Sequence, residues 1–226
     1  MRKLSFCVLF CLAATLSAQT APAAGSATGA ALYPGVGPGV AITLPAPDTS
    51  GGMTLNQALA TRRSVRAFND APLTDAQVSQ LLWAAQGVTS SKGQRTAPSA
   101  HAQYYLHLYV ARAEGFFEYL PGKHVLQPVS PLDLRAKLTA DKAPMVFVIA
   151  GEYERAEKTT PAAQADRYVN LEAGHAAQNL VLEATALGLG GVTVGGINPA
   201  ETATAAALPK GITPIYVIPI GHPAKP

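Results

Sequence analysis

Tyr104-Tyr105-Leu106-His107-Leu108-Tyr109-Val110-Ala111, followed by Phe116-Phe117-Glu118-Tyr119-Leu120, Pro121-Gly122-Lys123 and Val125-Leu126-Gln127-Pro128-Val129, is the stretch whose reading decides the fold. In its first segment His107, Tyr109 and Ala111 alternate with Leu106, Leu108 and Val110, the two-residue period of a strand. The next two apolar segments flank Pro-Gly-Lys in a hairpin-like arrangement. Downstream, Met145-Val146-Phe147-Val148-Ile149-Ala150 is continuously apolar, which suits a strand buried on both faces. Residues 192–194 and 215–220 read as two further strands.

The helices announce themselves by their ends. Thr54 with Gln57, and Thr74 with Gln77, are capping-box pairs. After the second, Val78, Leu81, Leu82 and Ala85 recur at helical spacing until Gly87. Ser130-Pro131 reads as a helix start, with serine as cap and proline at the first helical position. The longest helical stretch runs from about 163 to 188; its small residues Ala173, Gly174, Ala176, Ala177, Ala184 and Ala186 permit close packing. Asn198-Pro199 caps one more helix, and Gly188 reads as a helix C-cap. Strands and helices mix without strict βαβ alternation, so the fold class is α+β rather than a doubly wound sheet.

Outward from this unit, the N-terminus has another character. Arg2 and Lys3 precede an apolar run over residues 4–16, with Ser17-Ala18 as a cleavage point, the order of a secretory signal peptide. Those thirteen residues fall short of the roughly 20 that a spanning helix needs. The expected organisation is a signal peptide over 1–18, a flexible Ala/Pro/Gly-rich linker over 19–52, and one folded domain over 53–226. The expected location is periplasmic or secreted, with no membrane insertion after processing. Cys7 and Cys11 both lie in the signal segment, so the mature chain has no disulfide, thiol nucleophile or thiolate metal site. Removing Arg2 and Lys3 leaves 15 basic residues against 14 acidic ones, a balance that suggests no nucleic-acid partner.

Three groups carry candidate chemistry. Arg62-Arg63-Ser64-Val65-Arg66 offers three guanidinium groups and a hydroxyl within five residues, a set able to surround a phosphate or, alternatively, to end a helix in solvent. Arg95-Thr96-Ala97-Pro98-Ser99-Ala100 is a proline-fixed loop of small residues that lets a flat ring approach its backbone. Residues 188–196 are glycine-dense, but Thr193 stands where the last glycine of a dinucleotide fingerprint would fall. Glu172 and His175 form a single Glu-x-x-His pair, whereas di-iron bundles need two, so packing or interface roles and no metal are expected. No Gly-x-Ser-x-Gly elbow is present, which argues against a hydrolase.

Taken in order, these pieces resemble the nitroreductase family, and within it the SagB-type dehydrogenase branch. The resemblance rests on residues 62–66, Leu81-Leu82-Trp83-Ala84-Ala85-Gln86-Gly87, residues 95–100, Leu171-Glu172-Ala173-Gly174-His175-Ala176-Ala177-Gln178-Asn179-Leu180, Gly188-Leu189-Gly190 and Ile218-Pro219-Ile220-Gly221-His222-Pro223. It implies a three-layer sandwich with a central mixed or antiparallel sheet flanked by helices, and a homodimer holding FMN at the interface. It also implies that Arg62, Ser64 and Arg66 hold the phosphate and ribityl chain, with Arg63 near the flavin. Pro98, Ser99 and Ala100 would approach the ring from the partner subunit, and Gly195 and Gly196 would lie along its N5 edge. Gln103 stands near the place of a family asparagine; Gly221 and Lys225 are further cofactor-binding candidates from the C-terminal segment, where many relatives have a basic tail. The implied function is an FMN-dependent oxidoreductase acting on a small-molecule redox substrate. It is either NAD(P)H-linked and reducing nitro or quinone acceptors, or oxidising an organic substrate, with hydride moving through flavin N5 and no protein nucleophile. The alternative is a flavin-binding protein without turnover, serving storage or as a redox partner.

Overall fold

The computed structural model describes residues 39–225. The signal peptide read over 1–18 and the linker up to residue 38 lie outside the described residues. Seven strands form one sheet: β1 Ile42–Thr43, β2 Leu106–Arg112, β3 Gly115–Leu120, β4 Val125–Ser130, β5 Met145–Gly151, β6 Gly190–Gly191 and β7 Thr213–Gly221. Their order is β1-β4-β3-β2-β5-β7-β6, and every strand pair is antiparallel. The helices are α1 Leu55–Thr61, α2 Asp75–Gln86, α3 Arg135–Leu138, α4 Tyr153–Thr159, α5 Ala162–Ala186 and α6 Pro199–Ala205.

β5 fixes the layering. All seven of its residues are buried. Met145, Phe147 and Ile149 join a core that includes Leu81 and Leu82 of α2 and Ala173, Ala177 and Leu180 of α5. Val146, Val148 and Ala150 join a second core with Leu138 of α3 and Ala206 after α6. A strand's two-residue period thus feeds two separate cores, and helices cover both faces. The result is the α+β three-layer sandwich that the sequence resemblance implied. No helix among the described residues is long and apolar enough to cross a membrane.

The capping boxes at Thr54 and Thr74 both form, with each glutamine side chain returning to the cap's own N–H. Along α5, Ala165, Val169, Ala173, Ala176, Leu180 and Ala184 are buried at three- and four-residue spacing, which gives the helix one inward stripe. Gly188 ends it in a Schellman arrangement: its φ is +71°, Leu189 N–H bonds to Ala184 O, and Gly188 N–H bonds to Thr185 O.

Three expectations need correction. Ser130-Pro131 starts no helix; Ser130 ends β4, its hydroxyl accepts from Leu132 N–H in a turn, and α3 begins at Arg135. The expected strand at 192–194 is reduced to a bridge between Val194 and Val217, while Gly190 and Gly191 form β6. Both pieces share one register against β7, but Pro219 lies opposite Val192 and has no N–H to join them. Finally, the domain begins before Met53. Ile42 and Thr43 pair with Leu126 and Val125, Leu44 is buried, and Pro45 O accepts from the Ser79 hydroxyl at 2.6 Å. His124 Nε2 lies 2.7 Å from the same hydroxyl, and its Nδ1 is 2.8 Å from Tyr119 OH. Composition alone could not reveal this strap, because only Ile42 and Leu44 supply apolar contact and the rest is backbone hydrogen bonding at residues 42–48.

Leu44→Ala should therefore destabilise the domain by about 2–3 kcal/mol, or roughly 5–10 °C in Tm, by thermal denaturation. An unchanged Tm would mean that the strap is an ornament.

Candidate functional site

The arginine segment leaves α1 at Arg62 and runs along the β6 edge of the sheet. Ser64 forms a parallel bridge with Gly191, and Val65 N–H bonds to Gly191 O at 3.0 Å. Val65 sits so close to β6 that a Cβ on Gly190 would come within 2.7 Å of the Val65 Cβ. Glycine is required there by the approach of the arginine segment. The C-terminal residues run along the same segment: Asn69 N–H bonds to His222 O, and Ala224 N–H bonds to Ala67 O. This brings Lys225 beside Arg66. Arg63, Ser64, Arg66 and Lys225 are exposed and Arg62 is half-buried. Arg63 Nη1 donates to the Ala60 and Arg62 carbonyls. Among the described residues, no carboxylate lies within ion-pair distance of Arg62, Arg63 or Arg66, whereas Arg135 and Arg155 each have one and Arg112 has two.

Gly195 and Gly196 follow the Val194 bridge and are exposed; a Cβ on Gly196 would meet nothing within 4 Å. Gly221 has another role. It is buried, and a Cβ there would lie 2.6 Å from Pro144 and 3.0 Å from Phe68, so packing accounts for this glycine.

The loop over residues 95–105 lies elsewhere. Glu152 N–H bonds to Tyr105 O, and Leu106 pairs with Gly151. That is the opposite end of β5 from Met145 and its partner Ile220, next to which the arginine segment lies. Six residues of strand separate the two ends, about 20 Å at roughly 3.3 Å per residue. One chain therefore does not bring residues 98–100 and 103 together with the arginines.

This loop is strained and heavily anchored. His101, Ala102 and Tyr104 have φ of 53°, 54° and 53°, a left-handed backbone that disfavours a side chain by about 1–2 kcal/mol per residue. Arg155 donates to the carbonyls of Gln103 and Tyr104, and its guanidinium lies 5.0 Å over the Tyr105 ring. From the other side, Glu172 accepts from the Ser99 hydroxyl at 2.6 Å and from Tyr105 N–H at 3.3 Å. Ser99 Oγ also accepts from Tyr104 N–H at 2.8 Å. The serine hydroxyl is thus committed within the chain, which leaves backbone and Cβ surface at residues 98–100 for a ligand. Gln103 is half-buried, with its amide directed to His101 O.

Glu172 is 1 % exposed, and burial raises its pKa against the hydrogen bonds from Ser99 and Tyr105 and the nearby Arg95. Burial also lowers the Arg95 pKa. Beneath the loop, His107 Nδ1 is 2.7 Å from Glu118, and its Nε2 is 3.7 Å from Glu152, which pairs with Arg155. Burial pulls the imidazole down, but the bonds to Glu118 and Glu152 outweigh it and raise His107 to about 9. Glu152 falls to about 2, chiefly through its hydrogen bond with His107, against burial and with help from Arg155. Sequence reading missed Gln86, Arg155 and this histidine network. It placed Glu172 in packing or at an interface, and no local pattern reveals that it faces Ser99 across 73 residues. A cavity of about 440 Å³ under residues 46–53, lined by Gln80, Trp83 and Glu183, touches neither group.

Comparisons with known proteins define the family. The nitroreductase family pattern matches residues 59–222. A protein described as a nitroreductase from Methanocaldococcus jannaschii is 35% identical, over 74% of this chain and 90% of its own length. A crystal structure described as a nitroreductase from Ralstonia eutropha superposes with a TM-score of 0.77 at 33% identity, covering 86% of this chain and 98% of that one. A chain of the E. coli microcin synthetase McbBCD complex shares the fold alone, with TM-score 0.64 and 21% identity over 81% of this chain and 78% of its own. This chain belongs to the nitroreductase family of oxidoreductases, whose members generally bind flavin and are usually dimeric.

The titrations give a pH prediction. A raised His107 pKa contributes stability that is complete below about 6.5 and is lost as pH rises through about 9. The lowered Glu152 contributes above 4.5 and is lost as pH falls through about 2. Tm should therefore decline between pH 6.5 and about 9, and His107→Gln should lower Tm at acidic pH while flattening that decline. An equal slope in both proteins would mean that the histidine does not drive it.

Proposed function

We propose that this chain is an exported, FMN-dependent oxidoreductase that works as a homodimer. The observation that carries the reading is the cluster of Arg62, Arg63, Ser64 and Arg66, which no carboxylate among the described residues pairs with and which is braced against Gly190 and Gly191. Guanidinium groups left without an internal anion are suited to a phosphate from outside. In this reading Arg62, Ser64 and Arg66 hold the FMN phosphate and ribityl chain, Arg63 lies near the flavin and Lys225 stands alongside. Gly195 and Gly196 offer uncovered backbone to the ring edge. Pro98, Ser99, Ala100 and Gln103 approach the ring from a second copy, since about 20 Å of sheet separates them from the arginines of their own chain. Bound there, FMN would supply hydride transfer at N5. The chain's part is to bind and orient the group, to present donors to it, and to leave one ring face open for a small-molecule substrate.

We propose a direction of electron flow from the expected signal peptide and the SagB-type resemblance. Outside the cytoplasm a nicotinamide donor is scarce, so we propose that an organic substrate is oxidised and that oxygen or a quinone takes the electrons. Purified protein should be reduced slowly by NADH or NADPH in anaerobic stopped flow and should reoxidise readily in air. Fast nicotinamide reduction would exclude that direction.

The phosphate assignment is tested by comparing two ligands. Arg66→Ala should weaken FMN by about 10- to 150-fold, the equivalent of one charge-assisted hydrogen bond, and leave riboflavin binding nearly unchanged. Equal losses for both ligands would assign the arginine to the fold instead.

A further inference from the structure

We propose that Glu172 is the positioning residue that holds the 98–105 loop in its left-handed form, through a hydrogen-bond chain whose direction Gln86 must respect. The proposal rests on the reading above that this loop meets the flavin ring. The chain begins at Arg95, whose Nη1 donates to Gln86 Oε1 at 3.1 Å, while its guanidinium lies 4.4 Å over the Tyr104 ring. Gln86 Nε2 donates to Glu172 Oε1 at 3.3 Å. Glu172 Oε2 then accepts from both Ser99 Oγ and Tyr105 N–H. Tyr104 N–H bonds to Ser99 Oγ, and Arg95 N–H bonds to Tyr104 OH, which closes the loop on itself.

The polarity follows from the two ends. A guanidinium only donates and a carboxylate only accepts, so the buried Gln86 amide has one allowed orientation between them. Three donors converge on Glu172, from Gln86, Ser99 and Tyr105. An amide at position 172 would bring its own N–H groups against at least one of them. Unmet buried donors are expensive, and the left-handed residues His101, Ala102 and Tyr104 would then lose the anchors on either side.

The same reasoning predicts its own repair. In the double variant Q86E/E172Q the carboxylate sits at position 86, where it accepts from Arg95 and from the amide N–H introduced at position 172. The carbonyl of that introduced amide accepts from Ser99 and Tyr105. The pair contains the same groups in exchanged places, and every donor regains an acceptor. A residue that merely filled space would show no such rescue.

The experiment is amide exchange by NMR on the full chain before and after addition of FMN, with an FMN titration and the flavin's visible spectrum alongside. Glu172→Gln should speed exchange at the Tyr104 and Tyr105 amides by about tenfold, the equivalent of one hydrogen bond, with β5 amides unchanged. FMN affinity should fall and the bound spectrum should shift. Q86E/E172Q should return all three towards wild type. Should Glu172→Gln not fold, Ser99→Ala removes the hydroxyl alone and should speed exchange at Tyr104. Wild-type exchange at both tyrosines in Glu172→Gln, wild-type exchange at Tyr104 in Ser99→Ala, or a double variant no better than the single would overturn the proposal. Equal FMN binding by all variants would overturn the positioning role. A wild-type chain that takes up no FMN would instead remove the flavin reading, and exchange would still decide whether Glu172 holds the loop.

Discussion

The burial of β5 on both faces is the constraint on which the rest depends. A strand with seven buried residues cannot tolerate solvent on either side, so one helical layer is insufficient. α2 and α5 cover one face, and α3 and α6 cover the other. With both faces occupied by packing, chemistry is left to the ends and edges of the sheet. The arginine segment lies along the β6 edge, and the strained loop lies where β2 and β5 meet at Leu106 and Gly151.

Charge supports these two places in different ways. Arg63 and Arg66 are exposed and Arg62 is half-buried, and backbone contact to β6 and the C-terminal residues holds their segment in place. The loop is gripped by buried or half-buried charges, with Arg155 on its carbonyls and Glu172 on its N–H and hydroxyl groups. Each ion meets the end of the peptide dipole that it stabilises. The low-dielectric setting makes these bonds stronger and makes the loss of either partner more severe.

Much of the fold was legible in the sequence, because its signals were local. The Thr54 and Thr74 capping boxes, the hairpin around Pro121-Gly122-Lys123 and the alternation in residues 106–111 each depend on neighbours a few positions away. Misreadings came where a local pattern met a distant competitor. Ser130-Pro131 has the form of a helix start, but Ser130 pairs with Phe116. Val192 has the right side chain for a strand, but Pro219 opposite it cannot donate. In the site, the Arg62-Arg63-Ser64-Val65-Arg66 cluster stood out in the sequence, which left open a phosphate or a solvated helix end as its purpose. The partners of Glu172, at Gln86, Ser99 and Tyr105, were not, since their meeting is set by the packing of α2 and α5 against the sheet.

The two margins of the sheet share a feature that bears on how crowded copies of the protein behave. Each ends in a strand of only two residues, Ile42–Thr43 at one side and Gly190–Gly191 at the other. The strap supplies the first, and the second is covered in turn by Ser64 and Val65. A long, flat margin with a row of free N–H and C=O groups is a template for strands from other molecules. Among the described residues neither outermost strand is long enough to offer such a row, and Pro128 has no N–H to add where β4 runs past the strap, which gives aggregation little to extend.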